Sequence, residues 1–445
     1  MGEGQPQASF VPFRSVHAFV PDTSPMSFAS TDTSASAAPQ PGRAPLKPLD
    51  QALAELLARA VPLPGVEAVS TFDADGRVLA QDLVSSLDVP AHDNSSMDGY
   101  AVRAADWAEG AVLRVGQRIP AGSSGHALAP ASAARIFTGA PVPPGADAVV
   151  MQEDCEAVDE GVRIKAQPQP GQWIRRRGED VAAGAVVLRR GERLAPASLG
   201  LAASIGFDML QVAPRVRVAL FSTGDELVMP GEVAPADMKP GAIYNSNRFF
   251  LRALLLRLGC TVTDLGIVPD RLDATIAALK GASQAHDLIL TSGGVSVGEE
   301  DHIKPAVQAL GELALWQIAM KPGKPFACGK LGGAHFIGLP GNPVSSFVTF
   351  LMLVRPFLLK LQGAAEVAPS PIALPAHFDW PKADKRREFL RARRNAAGGL
   401  ELFGNQSSGV LTSAVWGDGV IDNPAGQAVA HGDMVQFIPF SALMA

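Results

Sequence analysis

The sequence predicts an α/β plus β chain of several domains: a parallel α/β domain, flanking mainly-β regions and a C-terminal β-barrel. Three observations predict this. Residues 213–365 alternate short, fully apolar runs with longer segments of helical period, the pattern of a parallel sheet with right-handed crossovers. On both sides of that stretch, short apolar segments are punctuated by Gly and Pro, as in small β domains. With 445 residues, 47% of them hydrophobic, the chain is long enough for about two to four domains.

Each element follows from its residues. Residues 1–44, ending in SASAAPQPGRAP, are rich in Ser, Ala, Pro, Thr and Gln. They bury too little apolar surface to offset chain entropy, so a disordered tail is expected, and its Phe residues leave open a docking segment or a plain extension. In LDQALAELLARAVPL, Leu49, Leu53, Leu56 and Leu57 recur at helical spacing and Pro62 ends the helix. From about 65 to 212 the chain reads as two small β subdomains, with AVVLRRGERLAP as strand–turn–strand. Val216, Val218, Leu220 and Phe221 then make a buried-type strand. YNSNRFFLRALLLRLGC is an amphipathic helix with Asn245 or Ser246 as cap. TVTDLGIVPD, RLDATIAALKGAS and HDLILTSGG continue as strand, helix and strand, and HFIGLPGNPVSSFVTFLMLVRPFLLKL as a fourth strand, a turn and a long helix. From about 366, REFLRARR, GLELFGN and GDMVQFIPF return to short strands.

Composition narrows the function. Net charge is -6, from 38 basic and 44 acidic residues. A nucleic-acid binder normally shows a basic face, so no nucleic-acid partner is expected. The three cysteines form no CxxC or Cys/His spacing, which points away from disulfides and zinc and toward a reducing cytoplasm. No apolar run reaches membrane-spanning length, and MGEGQPQASF lacks the features of a signal peptide.

Ligands of open parallel sheets sit at the carboxyl ends of strands, and the polar motifs fall there: after Phe221, Leu290 and Leu339. In TSGGVS, Gly293 and Gly294 let the backbone approach a phosphate, and Ser292 and Ser296 add hydroxyls. An ordinary turn is the alternative. Asp225 and Glu226 in STGDEL, with Glu299, Glu300 and Asp301, offer carboxylates for magnesium beside a phosphate, or else a solvated acidic loop. MKPGKP holds Lys321 and Lys324 on a stiff turn, either an oxyanion site or a surface hairpin. In GLPGNPVSSF a helix opens after Pro340, Gly341 and Asn342, and its amides with Ser345 either attract an anion or are simply capped. DVPAHDNSSMDGYA is a polar loop carrying Asp93 and Asp98. In KADKRREFLRARR, alternation on a strand puts Arg387, Arg391 and Arg393 on one face, part of an anion pocket or solvated surface.

Taken together and in order, DNSSMDGYAVR, RIFTGAPVPPGADAVVMQED, FSTGDEL, TSGGVSVGEEDHIKP, MKPGKPFACGKL and GLPGNPVSSF resemble the molybdopterin molybdenumtransferases, the family that includes the gephyrin E domain. The resemblance covers residues 46–445 and implies a four-part architecture. A helix in 45–66 packs on the α/β domain. Residues 67–83 and 186–212 form a small β linker domain, and 84–185 a mainly-β domain inserted in it. The molybdopterin-binding α/β domain spans 213–365 and the β-barrel 366–445. An elongated homodimer is implied. The reaction implied is insertion of molybdate into adenylylated molybdopterin, with magnesium-dependent release of AMP. Molybdopterin adenylyltransferase and acceptor molybdoenzymes, or their chaperones, are the implied partners.

Site residues carry over by position. Asp301, Asp225 and Glu226 match acids of the metal and nucleotide site. Ser292, Gly293, Gly294 and Ser296 match the pterin- and phosphate-binding loop, joined by Ser222, Thr223 and Gly224. Lys321, Lys324 and Ser345, with Pro340, Gly341 and Asn342, match the oxyanion end. Arg386 or Arg387 stands where the family has an arginine. Asp98 and Thr138 match residues facing the site from the other subunit. Gly409 stands where relatives often have arginine, beside Ser407 and Ser408. Two other readings remain: molybdopterin adenylyltransferase, whose α/β domain is shared, and a non-catalytic, gephyrin-like scaffold.

Overall fold

A computed structural model describes residues 45–159, 161–295 and 302–444. The tail expected over 1–44 lies outside the described residues, as do Ser296, Glu299, Glu300 and Asp301. Helix α1, Leu49–Arg59, buries Leu49, Ala52 and Leu56 along one stripe. That stripe packs into the same core as Val218, Leu220 and Phe357 of the α/β region, far away in sequence. Beside it, Lys47 lies 4.1 Å over the ring of Trp316, and Arg59 5.9 Å from it.

Over 67–212 the chain is mainly β. Glu67–Ser70 pairs with Met209–Val212, and Leu83–Val84 with Val186–Leu188. Between them a six-stranded sheet runs from Gly99 to Ile164. The second half of AVVLRRGERLAP makes only an isolated bridge, Val78 to Arg193. The chain then turns into a helix, Pro196–Ser204, that the short apolar texture had hidden.

The α/β region is built from β1 (Arg217–Thr223), α2 (Asn247–Arg257), β2 (Thr261–Val268), α3 (Leu272–Ala285), β3 (Leu288–Ser292), α4 (Ile303–Leu310), β4 (Glu312–Gln317), β5 (Met320–Lys321), β6 (Pro325–Leu331), β7 (Ala334–Leu339), α5 (Pro343–Thr349) and α6 (Arg355–Leu361). The sheet order is β2-β1-β3-β7-β6-β4. β2, β1, β3 and β7 are parallel, while β6 and β4 extend the sheet antiparallel. The four strands read from the sequence are the parallel ones, and β4 and β6 are additions that it did not reveal. Only Gly332 and Gly333 join β6 to β7, and two residues make a hairpin but cannot make a crossover. A π-helical turn, Phe350–Val354, joins α5 to α6. The whole stretch Pro343–Leu361 is long and apolar enough to cross a membrane, yet is 94% buried, as befits a core helix.

The C-terminal region contains β8 (Ile372–Pro375), β9 (Arg387–Arg394), β10 (Leu400–Leu402), β11 (Gly419–Asn423) and β12 (Met434–Pro439). The C-terminal strands form a mixed six-stranded sheet, order β5-β9-β11-β12-β8, with β10 on β9; an isolated bridge from Ala376 to Leu400 links the β8 end to β10, and a closed barrel is not shown. β5 leaves the α/β region to pair parallel with β9 and occupies one end of the strand order. Phe389, Val420, Ile438 and Phe440 complete the core shared with α1 and α5.

Candidate active site

A cleft of about 570 Å³ opens at the carboxyl ends of β1, β3 and β7, a size suited to a small-molecule ligand. Thr223, Gly224 and Glu226 form one wall. Ser292, Gly293 and Gly294 form the floor after β3, and Pro340, Gly341, Asn342 and Ser345 the wall where α5 opens. Gly293 has φ +96°, and a Cβ there would come within 3.0 Å of the Thr223 carbonyl oxygen. Only glycine takes that turn without strain. Ser222 is buried behind the wall, its hydroxyl without a hydrogen-bond partner among the described residues. Asp225 is exposed and accepts a long bond from the Asp270 amide.

Several cleft residues went unread in the sequence. Asn247 donates from Nδ2 to Ser292 Oγ and to the Gly341 carbonyl, both at 2.7 Å, and so ties two of the site loops together. Its Oδ1, and Nδ2 of Asn245, are buried without a partner among the described residues. Asn245 also caps α2, its Oδ1 accepting from the Arg248 amide. Ser246 supplies no side-chain cap. A parallel pair, Leu227–Val228 with Ile243–Tyr244, places Leu227, Ile243 and Tyr244 as an apolar lip. The clustered amides of YNSN were the available signal, but they read equally well as a cap alone.

The MKPGKP turn sits at the join with the C-terminal sheet, and its two lysines differ. Lys321 Nζ donates to Glu388 at 2.9 Å and lies 3.2 Å from Asp384. Glu388 is fully buried and also accepts from Trp380 Nε1. Burial disfavours the charged lysine, but the two carboxylates outweigh it and hold its pKa above the ordinary value. Lys324 has no salt bridge among the described residues, and the adjoining Pro325 lines the cleft. Gly323, at φ +114°, packs against the Thr349 hydroxyl, leaving no room for a side chain. Thus, among the described residues, Lys321 is paired with carboxylates and Lys324 is not.

The arginines also separate. Arg386 grips Asp384 with two bonds of 3.0 Å, beside Lys321. Arg387 is committed elsewhere, to Asp422 on β11 and Asp50 on α1. Its place is a clamp between C-terminal sheet and α1, outside the cleft lining. Arg387, Arg391 and Arg393 do alternate along β9, yet they form no common pocket. Arg391 is buried and Arg393 pairs with Glu401 at the surface. Ser408 reaches the site through its backbone, its carbonyl accepting from the Val344 amide at the start of α5.

Asp98 and Thr138 lie outside this cleft, in the inserted β domain. Both the amide and the hydroxyl of Thr138 donate to Asp98 Oδ1 at 2.8 Å, which holds that carboxyl below its usual pKa. In the same loop, Asp88 and Asp93 are occupied by Arg177 and Arg176.

A divalent ion is compatible with the cleft. Glu226 and Asp270 both line it. No three carboxylate, histidine or cysteine groups converge into a ready-made cage among the described residues. Magnesium needs few protein oxygens when phosphates and waters complete its shell, so two cleft carboxylates fit that ion.

Comparison with known proteins agrees over most of the chain. Residues 47–206 match the MoeA N-terminal region (domain I and II), 219–360 a probable molybdopterin binding domain, and 373–440 the MoeA C-terminal region (domain IV). A molybdopterin molybdenumtransferase of Haemophilus influenzae is 41% identical over 406 residues, covering 89% of this chain and 99% of its own. Molybdopterin molybdenumtransferase 2 of Mycobacterium tuberculosis is 39% identical, covering 83% and 93%. The crystal structure of the molybdopterin biosynthesis moeA protein of Pyrococcus horikoshii OT3 superposes with a TM-score of 0.78 at 28% identity, over 89% of this chain and 100% of its own. Three matched regions in order, with relatives aligned nearly end to end, establish that this chain belongs to the MoeA family of molybdopterin molybdenumtransferases.

Proposed function

We propose that this protein acts in molybdenum cofactor biosynthesis, inserting molybdate into adenylylated molybdopterin with magnesium-dependent release of AMP. The observation that carries this reading is the cleft at the carboxyl ends of β1, β3 and β7, with small-residue loops at its floor and the lysine turn at its rim. The Gly293–Gly294 backbone and the opening of α5 suit the phosphates of the substrate. The polar atoms of Asn245 and Asn247 that lack a partner among the described residues suit the polar edges of its ring systems. Lys324, next to the cleft-lining Pro325, with Ser345 in the cleft wall and Arg386 joined to Lys321 through Asp384, suits the molybdate dianion. Glu226 and Asp270, with Asp301 assigned by resemblance, would hold magnesium. That ion supplies charge neutralisation at the departing phosphate. Holding both anions in one cleft converts an encounter into an oriented reaction.

The same reading takes the protein as a cytoplasmic homodimer, with Asp98 and Thr138 serving the partner copy's cleft. It receives substrate from molybdopterin adenylyltransferase and passes product to molybdoenzymes or their chaperones. Incubation with adenylylated molybdopterin, magnesium and molybdate is expected to release AMP, and chelation of magnesium to stop it. Synthesis of adenylylated molybdopterin from ATP without its consumption would instead favour adenylyltransferase activity. Binding without turnover would favour a scaffold.

A further inference from the structure

Arg391, in the middle of β9, is 1% exposed, yet no carboxylate pairs with it among the described residues. Among the described residues its guanidinium bonds to neutral acceptors: Ser413 Oγ at 3.1 Å, the Phe389 carbonyl at 3.0 Å and the Ser407 carbonyl at 3.3 Å. Burial alone lowers its pKa, to about 10, so it remains charged at neutral pH. An uncompensated charge in a core is costly. Neighbouring arginines on the same strand have partners, which makes this one an exception.

The bonds Arg391 does make converge on one loop. Nη2 holds Ser407, and Nε holds Ser413 just beyond it. Gln406 straps the same loop to the Arg391 backbone, accepting from its amide and donating to its carbonyl, both at 2.9 Å. From that loop the Ser408 carbonyl accepts from the Val344 amide, next to Ser345 in the cleft wall. Arg391 therefore stands behind the end of the cleft where α5 opens.

We propose that Arg391 is a positioning residue for the oxyanion: it fixes the Ser407–Ser408 loop against α5 and lends that end of the cleft a buried positive charge that favours a dianion. The inference rests on the proposed function above. It also accounts for a core charge with no counter-ion among the described residues, since the substrate supplies one. Lacking a water sheath, such a charge is screened by salt far less than a surface lysine.

Two variants test it, R391M and R391K, by molybdate binding in equilibrium dialysis, by steady-state AMP release and by thermal melting. R391M is expected to weaken molybdate about five- to tenfold, the loss of one charge interaction. Its melting midpoint should stay within a few degrees of the parent or rise, and its KM for adenylylated molybdopterin should stay within about twofold. R391K, which keeps the charge, should bind molybdate within about threefold of the parent. Unchanged molybdate affinity in R391M overturns the inference, as does a fall in melting midpoint accompanied by equal loss of both substrates. If R391M does not fold, R391K decides: affinity near the parent supports the inference, and affinity lost more than tenfold overturns it. A parent protein that binds neither molybdate nor adenylylated molybdopterin removes the proposed function itself. A parent that binds both, with R391M binding molybdate equally well, removes only this inference.

Discussion

Lys321 and Lys324 look interchangeable in MKPGKP, and the fold separates them. Asp384 is the residue that makes the difference, because it binds Arg386 and Lys321 at once. The Arg386 guanidinium chiefly, with its amide and Lys321, holds the Asp384 carboxyl well below the usual carboxylate range. A lowered folded-state pKa contributes stability above the unfolded value of about 3.9 and loses it as pH falls further. Asp384→Asn should therefore cost about 1–2 kcal/mol at pH 7, and the difference from the parent should shrink in urea melts repeated below about pH 3.9. An equal difference at both pH values would show that the amide is disturbing packing instead. The basic cluster KADKRREFLRARR was legible as charge, but not as pairing. Which arginine stays near the site depends on Asp384, Asp422 and Asp50, brought together only by the fold.

At the scale of elements, the site loops were legible because each interrupts an apolar strand at its carboxyl end. Less visible was what joins them. Asn247 lies on α2 and bridges the loops after β3 and β7, a role that no helical period reveals. The two glycines facing each other across that bridge predict opposite outcomes. Gly293→Ala forces a residue at φ +96° against the Thr223 carbonyl and should cost about 1–2 kcal/mol, read as a lower melting midpoint. Gly341 is less constrained, its added Cβ meeting only the Gly293 Cα at 3.9 Å. Gly341→Ala should leave stability within about 0.5 kcal/mol while raising KM for adenylylated molybdopterin several-fold, because the methyl occupies space at the phosphate loop. Equal effects on stability and KM in both variants would show that these loops do not form the binding floor.

At the scale of the whole molecule, α1, the α/β region and the C-terminal sheet share one apolar core. Leu56, 1% exposed on α1, is central to it. Leu56→Ala should cost about 2–5 kcal/mol and lower the melting midpoint of the entire transition, where a separately melting helix would leave the main transition in place. The helix was legible from Leu spacing, while its packing on the α/β domain came only from the family resemblance, since nothing local encodes Trp316 or Phe357 as a neighbour. The membership of the C-terminal sheet was illegible for a related reason. Two residues, Met320 and Lys321, carry no β period, yet they supply an end strand to a sheet whose other members begin at Ile372. Exchanging the C-terminal region between relatives is thus not a clean graft. A chimera cut near residue 366 would seat Met320–Lys321 on a foreign strand and give Lys321 a new set of counter-ions, so the seam for any such recombination must travel with the lysine turn.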